Sequence, residues 1–253
     1  MGEVIKDSAG NKETITLSRY TFANDNVGTP TDKGAETIND YFTEDTATNH
    51  NSSYGNTIAK DIEDFKNKVT NTTHGYYIGR YESRTSTERK SKTDKLTQIT
   101  VKPDEYVYNY TTQLQAAELS RGMYSDSNFE SDLMNSYAWD TAVYFLQKFD
   151  NRTNKASLKP YSQQNSLNTK SEGFASQGTN NLSDTSKQDV ICNVYDMASN
   201  CLEWTTETCS DSSIPCITRG GIYYSSYIYT SDRGYGNTSD STNDVSFRSL
   251  LYM

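Results

Sequence analysis

The side chains best suited to nucleophilic or redox chemistry in this sequence are four thiols, Cys192, Cys201, Cys209 and Cys216, all within one 25-residue window. None of them forms a C-x-x-C pair, so a zinc site is weakly indicated at best. Cys209 and Cys216 flank the turn-like segment Ser-Asp-Ser-Ser-Ile-Pro and are suitably spaced for a disulfide staple. Cys201 lies in an apolar-patterned stretch and reads as a small buried hydrophobe. The chain has only two histidines, His50 and His74. A Ser-His-Asp arrangement would need one of them, and neither stands in a suggestive context.

The elements that must position such residues can be read from apolar spacing. Residues 12–22 alternate apolar and polar around Ile15 and Leu17, with Tyr20 and Phe22 following less regularly, which predicts a strand. A polar, Asn- and Thr-rich stretch then runs to about residue 57, and Ile58 to Val69 reads as a short helix through Ile62, Phe65 and Val69. Gly75 to Tyr81 reads as a second strand. Thr112 to Tyr124 predicts a helix bearing Leu114, Ala117 and Leu119, with a Thr-Thr pair able to cap its first turn. A longer helix is expected from Glu130 to Phe149, its wide apolar face formed by Leu133, Tyr137, Val143 and Leu146; Trp139 on it is expected in the core. Residues 151–189 are almost entirely polar, a long loop or insertion within a single domain spanning 1–253.

Composition narrows the partners. Only 33% of the residues are hydrophobic, yet there are 20 Tyr, a content that excludes a disordered chain and fits a folded one with a modest core. The net charge is −9 and no stretch concentrates Lys and Arg, so nucleic acid is an improbable partner. No apolar run approaches the roughly 20 residues needed to span a bilayer, and residues 1–20 carry no signal-peptide core.

The most specific pattern lies at the end of the chain. From Cys192 to Thr205 the order includes Tyr195, Asp196, Met197, Asn200, Glu203 and Trp204; Arg219, Gly220 and Gly221 follow, and Phe247 with Arg248 close the series. These blocks resemble those of the formylglycine-generating-enzyme/sulfatase-modifying-factor family. Gly75 to Tyr81 and the helix around Leu133 to Leu146 fit the same series, so the resemblance spans roughly residues 70–253. Ser199 and Ser246 stand where the family has glycine. The resemblance implies an α+β, C-type-lectin-like fold: two helices on small antiparallel sheets with long irregular loops. Within it Asn200, Glu203, Trp204, Arg219, Gly220, Gly221, Phe247 and Arg248 read as scaffold, the two arginines offering planar multidentate donors for loop carbonyls or carboxylates. An equivalent loop binds calcium in some family members; Asn200 and Glu203 could supply oxygens, but two ligands do not make a site, and no cofactor is expected.

The family's enzymes work through a cysteine pair shortly after Arg-Gly-Gly. The corresponding positions here fall at about Ser225 and Thr230, and no cysteine follows Cys216. A hydroxyl does not replace a thiolate, so the chain is read as non-catalytic. Between the scaffold blocks, the 22 residues from Ile222 to Asn243 hold five Tyr, five Ser, three Thr, two Asn, two Asp and two Gly. This is the composition of a paratope, with Tyr giving rigid amphipathic contact area and Ser and Asn adaptable hydrogen bonds. Tyr223, Tyr224, Ser226, Tyr227, Tyr229, Asp232, Tyr235, Asn237 and Asp240 are the candidate ligand-binding residues. Variable proteins of diversity-generating retroelements are similar to this family and carry their diversified residues in the same interval. Adenine-directed mutagenesis of Asn codons yields Tyr, Ser, Asp, Thr and Ile, residues abundant here. The expectation is a binder of a protein or glycan ligand on a cell or phage surface. The alternatives are a sulfatase-modifying-type oxidoreductase or a degenerate relative of one, and a structural module of a phage or surface appendage.

Overall fold

The computed structural model describes residues 4–6, 12–22, 30–34, 42–44, 62–124, 129–150, 160–164, 189–225 and 227–253. Its strands are β1 (Val4–Lys6), β2 (Lys12–Thr14), β3 (Arg19–Thr21), β4 (Thr31–Gly34), β5 (Phe42–Glu44), β6 (Tyr77–Ile78), β7 (Arg84–Thr85), β8 (Tyr106–Val107), β9 (Glu130–Leu133), β10 (Val190–Ile191), β11 (Val194–Tyr195), β12 (Leu202–Cys209), β13 (Cys216–Arg219), β14 (Arg233–Gly236), β15 (Val245–Phe247) and β16 (Ser249–Tyr252). The α-helices are α1 (Ile62–Asn67), α2 (Gln113–Arg121) and α3 (Ser136–Phe149). This is the α+β plan that the resemblance implies, helices on small, mostly antiparallel sheets.

The largest sheet runs β14-β13-β12-β15, with β5 also pairing on β12. One pair in it, β12 with β15, is parallel and sets Trp204 beside Phe247, which an all-antiparallel expectation misses. A second sheet, β6-β16-β9, places the last strand of the chain between two earlier ones. Against it lies one core cluster built on α3, including Trp139, Val143, Leu146 and Leu250. Another cluster gathers α2 and β12 through Ala116, Ala117, Trp204 and Phe247. Removing an indole such as that of Trp204 from water stabilises by roughly 5 kcal/mol, taking about 200 Å² at ~25 cal/mol per Å².

The caps explain where helices begin. Thr112 accepts from the Gln115 backbone N–H, and Gln115 returns the bond to the Thr112 N–H, a reciprocal capping box at the expected Thr-Thr pair. The helix expected over Glu130–Phe149 begins later. Glu130–Leu133 instead pairs with β16, and Asn135 caps α3 by accepting from the Ala138 N–H at 2.9 Å. Similarly, the strand expected over 12–22 is split: between β2 and β3 the Ser18 N–H bonds to Thr141 Oγ1 on α3 at 3.0 Å. The strand expected over Gly75–Tyr81 is reduced to Tyr77–Ile78, because from Tyr81 on the backbone turns to meet other partners, with Ser83 N–H bonding to Phe247 O at 2.8 Å. The short helix through Phe65 and Val69 forms as α1 followed by a π-helical turn, Lys68–Thr72, and both side chains are buried. Its expected start at Ile58, His50, Ser226 and most of 151–189 lie outside the described residues.

Cys209 and Cys216 are not bridged, and none of the four cysteines is in a disulfide. The β12–β13 register explains this: Cys216 is paired with Thr208, not with Cys209, whose Sγ donates to Ile214 O at 3.2 Å. Main-chain pairing closes the loop for which the cysteine spacing leaves a staple open.

A tyrosine-bearing face on a main-chain frame

Two buried ionic clusters hold the C-terminal blocks in place. In the first, Arg248 is fully buried and donates through Nε and Nη2 to the two oxygens of Glu203, at 3.1 and 2.7 Å. Its other donors reach Gly79 O at 2.6 Å and Tyr195 O at 2.8 Å, so one side chain ties four segments together. Glu82 stands in the same cluster, accepting from Asn200 Nδ2 and from the Cys201 N–H. Burial, and then the Asp196 and Glu203 carboxylates, push the Glu82 carboxyl well above the usual range. Burial also raises Glu203, against the pull of Arg248.

The second cluster sets three guanidiniums around two acids. Arg219 donates to Asp140 at 2.5 Å and lies 3.5 Å from Glu207; Arg233 donates to both Glu207 oxygens at 3.0 Å; Arg19 also pairs with Glu207. Burial pushes Glu207 up, but Arg233, Arg219 and Arg19 outweigh it and hold the carboxyl below its ordinary value.

The turn preceding β12 requires left-handed backbone at Asp196 (φ 66°) and Asn200 (φ 61°), and Asp and Asn tolerate that region best after glycine. Ser199 does not carry a positive φ, and Ser246 lies in β15, so neither serine burdens the turn. Just before the tyrosine segment, two adjacent positions call for glycine. Gly220 has φ 87°, and a Cβ on Gly221 would lie 2.1 Å from Ala198 O.

From this frame the segment after Gly221 is pinned largely through main-chain atoms. Tyr223 N–H bonds to Asn200 O at 2.9 Å. The buried Trp139 indole donates to Thr230 O at 3.0 Å, and Thr230 N–H reaches Gln164 O at 2.9 Å. Arg219 donates to Ser231 O at 3.2 Å and to Asp232 O at 3.0 Å.

The candidate binding residues divide on this frame. Tyr227, Tyr224 and Tyr235 are exposed at 85, 59 and 49%. Tyr223 packs on Val107 and Cys201 and meets the Tyr224 ring edge-on at 5.1 Å. Tyr229 is half-buried. Asp232 accepts from the Tyr229 N–H at 2.8 Å, and Asp240 accepts from the Asn237 N–H at 2.8 Å and from its Nδ2 at 2.6 Å. These acids fix turns. Tyr235 lies on β14 beside Gly236, which packs on Trp204. One residue the sequence reading missed joins them: Asp244 accepts the Tyr224 hydroxyl at 2.6 Å. Twenty residues separate the pair, so no local spacing announces it. The bond to Asp244, then burial, raises the Tyr224 phenol to about 12.

Of the positions corresponding to the family's cysteine pair, Thr230 is buried and donates to Gln164 O at 3.2 Å. Glu203 spends both carboxylate oxygens on Arg248, whereas Asn200 gives its Nδ2 to Glu82 and keeps a buried Oδ1 without a hydrogen-bond partner. Among the described residues, no group of three His, Cys, Asp or Glu is placed to hold a metal ion. A cavity of about 250 Å³ lined by Leu17, Ile78, Phe145 and Leu146, among others, shares no residue with the tyrosine segment.

No family model and no curated protein matches the sequence. Solved structures similar to it include CarF, at 13% identity and a TM-score of 0.37, over 57% of this chain and 67% of that one. PvdO from Pseudomonas aeruginosa is similar at 14% identity and a TM-score of 0.37, over 62% of this chain and 65% of that one. Treponema denticola variable protein 1 is similar at 18% identity and a TM-score of 0.28, over 49% of this chain and 48% of that one. The chain thus spans about two thirds of the first two and about half of the third. Likenesses of this degree carry no inference about activity or ligand.

Proposed function

We propose that the chain is a non-catalytic ligand-binding domain of receptor or adhesion type, acting at a cell or phage surface through the tyrosine-bearing segment 222–244. The observation that carries this reading is the pairing of three exposed tyrosines with a segment anchored at its main chain. Large aromatic rings left in water beside the main-chain anchors at Tyr223 and Thr230–Asp232 give contact area at low entropic cost. The same anchoring would let side chains change between relatives, as a retroelement-diversified segment requires.

The Cys201 thiol does not favour an enzyme. Burial, and then Glu82, push the Cys201 thiol well up, away from a reactive thiolate. No helix among the described residues is long and apolar enough to cross a membrane.

Joint replacement of Tyr224, Tyr227 and Tyr235 by alanine should abolish adhesion of the protein to the cells or particles that the unaltered protein binds. The melt should stay within about 6 °C, since three exposed substitutions at up to ~0.5 kcal/mol each, at about 2–4 °C per kcal/mol, amount to no more. Retained adhesion would refute the assignment of the face. Formylglycine formation on a Cys-containing sulfatase peptide with copper would refute the non-catalytic reading.

A further inference from the structure

The Tyr224–Asp244 pair has a one-sided hydrogen-bonding character. The phenol donates its only proton to Asp244 Oδ2 at 2.6 Å. What remains outward is acceptor capacity: lone pairs on the Tyr224 oxygen and the second carboxylate oxygen, Asp244 Oδ1. The carboxylate has no ion-pair partner among the described residues, and Arg233, the only Lys or Arg between Gly220 and Phe247, is spent on Glu207 and Asp140. Beside the acceptors stand the Tyr224 ring, exposed at 59%, and the Tyr223 ring set edge-on to it at 5.1 Å. The whole chain carries a net charge of −9.

We propose that Tyr224 and Asp244 form the anchor subsite of the face, and that it takes an arginine side chain presented by a protein partner. A guanidinium fits this constellation better than any neutral group. It has donors and no acceptors, its planar fork can meet a carboxylate oxygen and a phenol oxygen together, and its flat face stacks on an aromatic ring. An ammonium satisfies the charge but neither the fork nor the stacking. Anionic glycans, acidic peptides and phosphate surfaces meet only acceptors and negative charge. This inference rests on the reading of 222–244 as a binding face and names the chemistry of its partner.

The test uses short defined peptides: an eight-residue Gly/Ser peptide carrying two arginines, and versions with lysine, glutamine or glutamate at the same positions. Binding to the full chain is followed by calorimetry at low salt. The arginine peptide should bind several-fold more tightly than the lysine one, and the glutamine and glutamate peptides should not bind. Asp244→Asn should weaken the arginine peptide at least tenfold and Tyr224→Phe about threefold. Glu63→Gln, an exposed acid on α1 with the same charge change, should leave it within twofold. Both loop variants should melt like the parent, because the Asp244 carbonyl keeps its bond from the Leu202 N–H. Equal effects of Asp244→Asn and Glu63→Gln would reduce the binding to general charge and overturn the anchor, as would no binding of the arginine peptide to the unaltered protein. If the triple tyrosine variant still loses adhesion in that case, the face stands and only the anchor chemistry falls.

Discussion

Replacing Arg248 by methionine keeps the volume of the side chain and removes its charge and all its donors. Two consequences follow at neutral pH. Glu203, fully buried, loses its counter-ion, and stranding a buried partner in this way costs about 3–5 kcal/mol. The carbonyls of Gly79 and Tyr195 also lose a donor, at roughly 1 kcal/mol each. The sum is on the order of 6 kcal/mol, within reach of the whole stability of a domain, about 5–15 kcal/mol. For a chain of this size each kcal/mol moves the midpoint by about 2–4 °C, so a fall of about 12–24 °C is expected. Urea unfolding followed by tryptophan fluorescence gives the number directly. Adding Glu203→Gln to the methionine variant removes the stranded charge and should recover about half of the loss. A single variant within 1 kcal/mol of the parent, or a double variant no more stable than the single, would refute the assignment of Arg248 and Glu203 as a coupled structural pair. If the single variant does not fold, a folded double variant still carries the coupling.

The remaining predictions concern pH and one glycine. Because Glu82 titrates higher in the fold than in the unfolded chain, the folded state holds the extra proton between the two values, and stability should fall as pH rises through that interval; Glu82→Gln should flatten this limb in melts from pH 5 to 8. Glu207 is held below its ordinary value, so its contribution is present above the unfolded pKa and is lost as pH falls through the folded one, giving a second decline on the acid side that Glu207→Gln should remove. Gly221→Ala drives a methyl into Ala198 O, where an added Cβ stands 2.1 Å away; a loss of at least ~2 kcal/mol in urea unfolding is expected, and a neutral result would show that the Ala198 turn yields easily.

What was legible in the sequence was local. The Thr112 cap needs only Gln115 three residues on, and the apolar face of α3 repeats within one turn. The start of α3 was not legible, because Leu133 and Met134 continue its apolar pattern while belonging to the strand side of the Asn135 cap. The scaffold blocks could be recognised as blocks, yet their partners could not: Arg248 meets Glu203 across 45 positions and Arg219 meets Asp140 across 79. Within the tyrosine segment, composition treats Tyr223 and Tyr224 alike, and only packing on Val107 and Cys201 separates the covered ring from the exposed one. Asp232, Asn237 and Asp240 read from composition as contact residues, whereas the i, i+3 spacing of Tyr229 with Asp232 and of Asn237 with Asp240 marks turn locks.

The bonds from Trp139 and Arg219 end on the carbonyls of Thr230, Ser231 and Asp232, atoms that every residue possesses. Those bonds therefore do not depend on which side chains the three positions carry. A library randomised at Tyr224, Tyr227 and Tyr235 alone should keep these three bonds while changing the surface displayed.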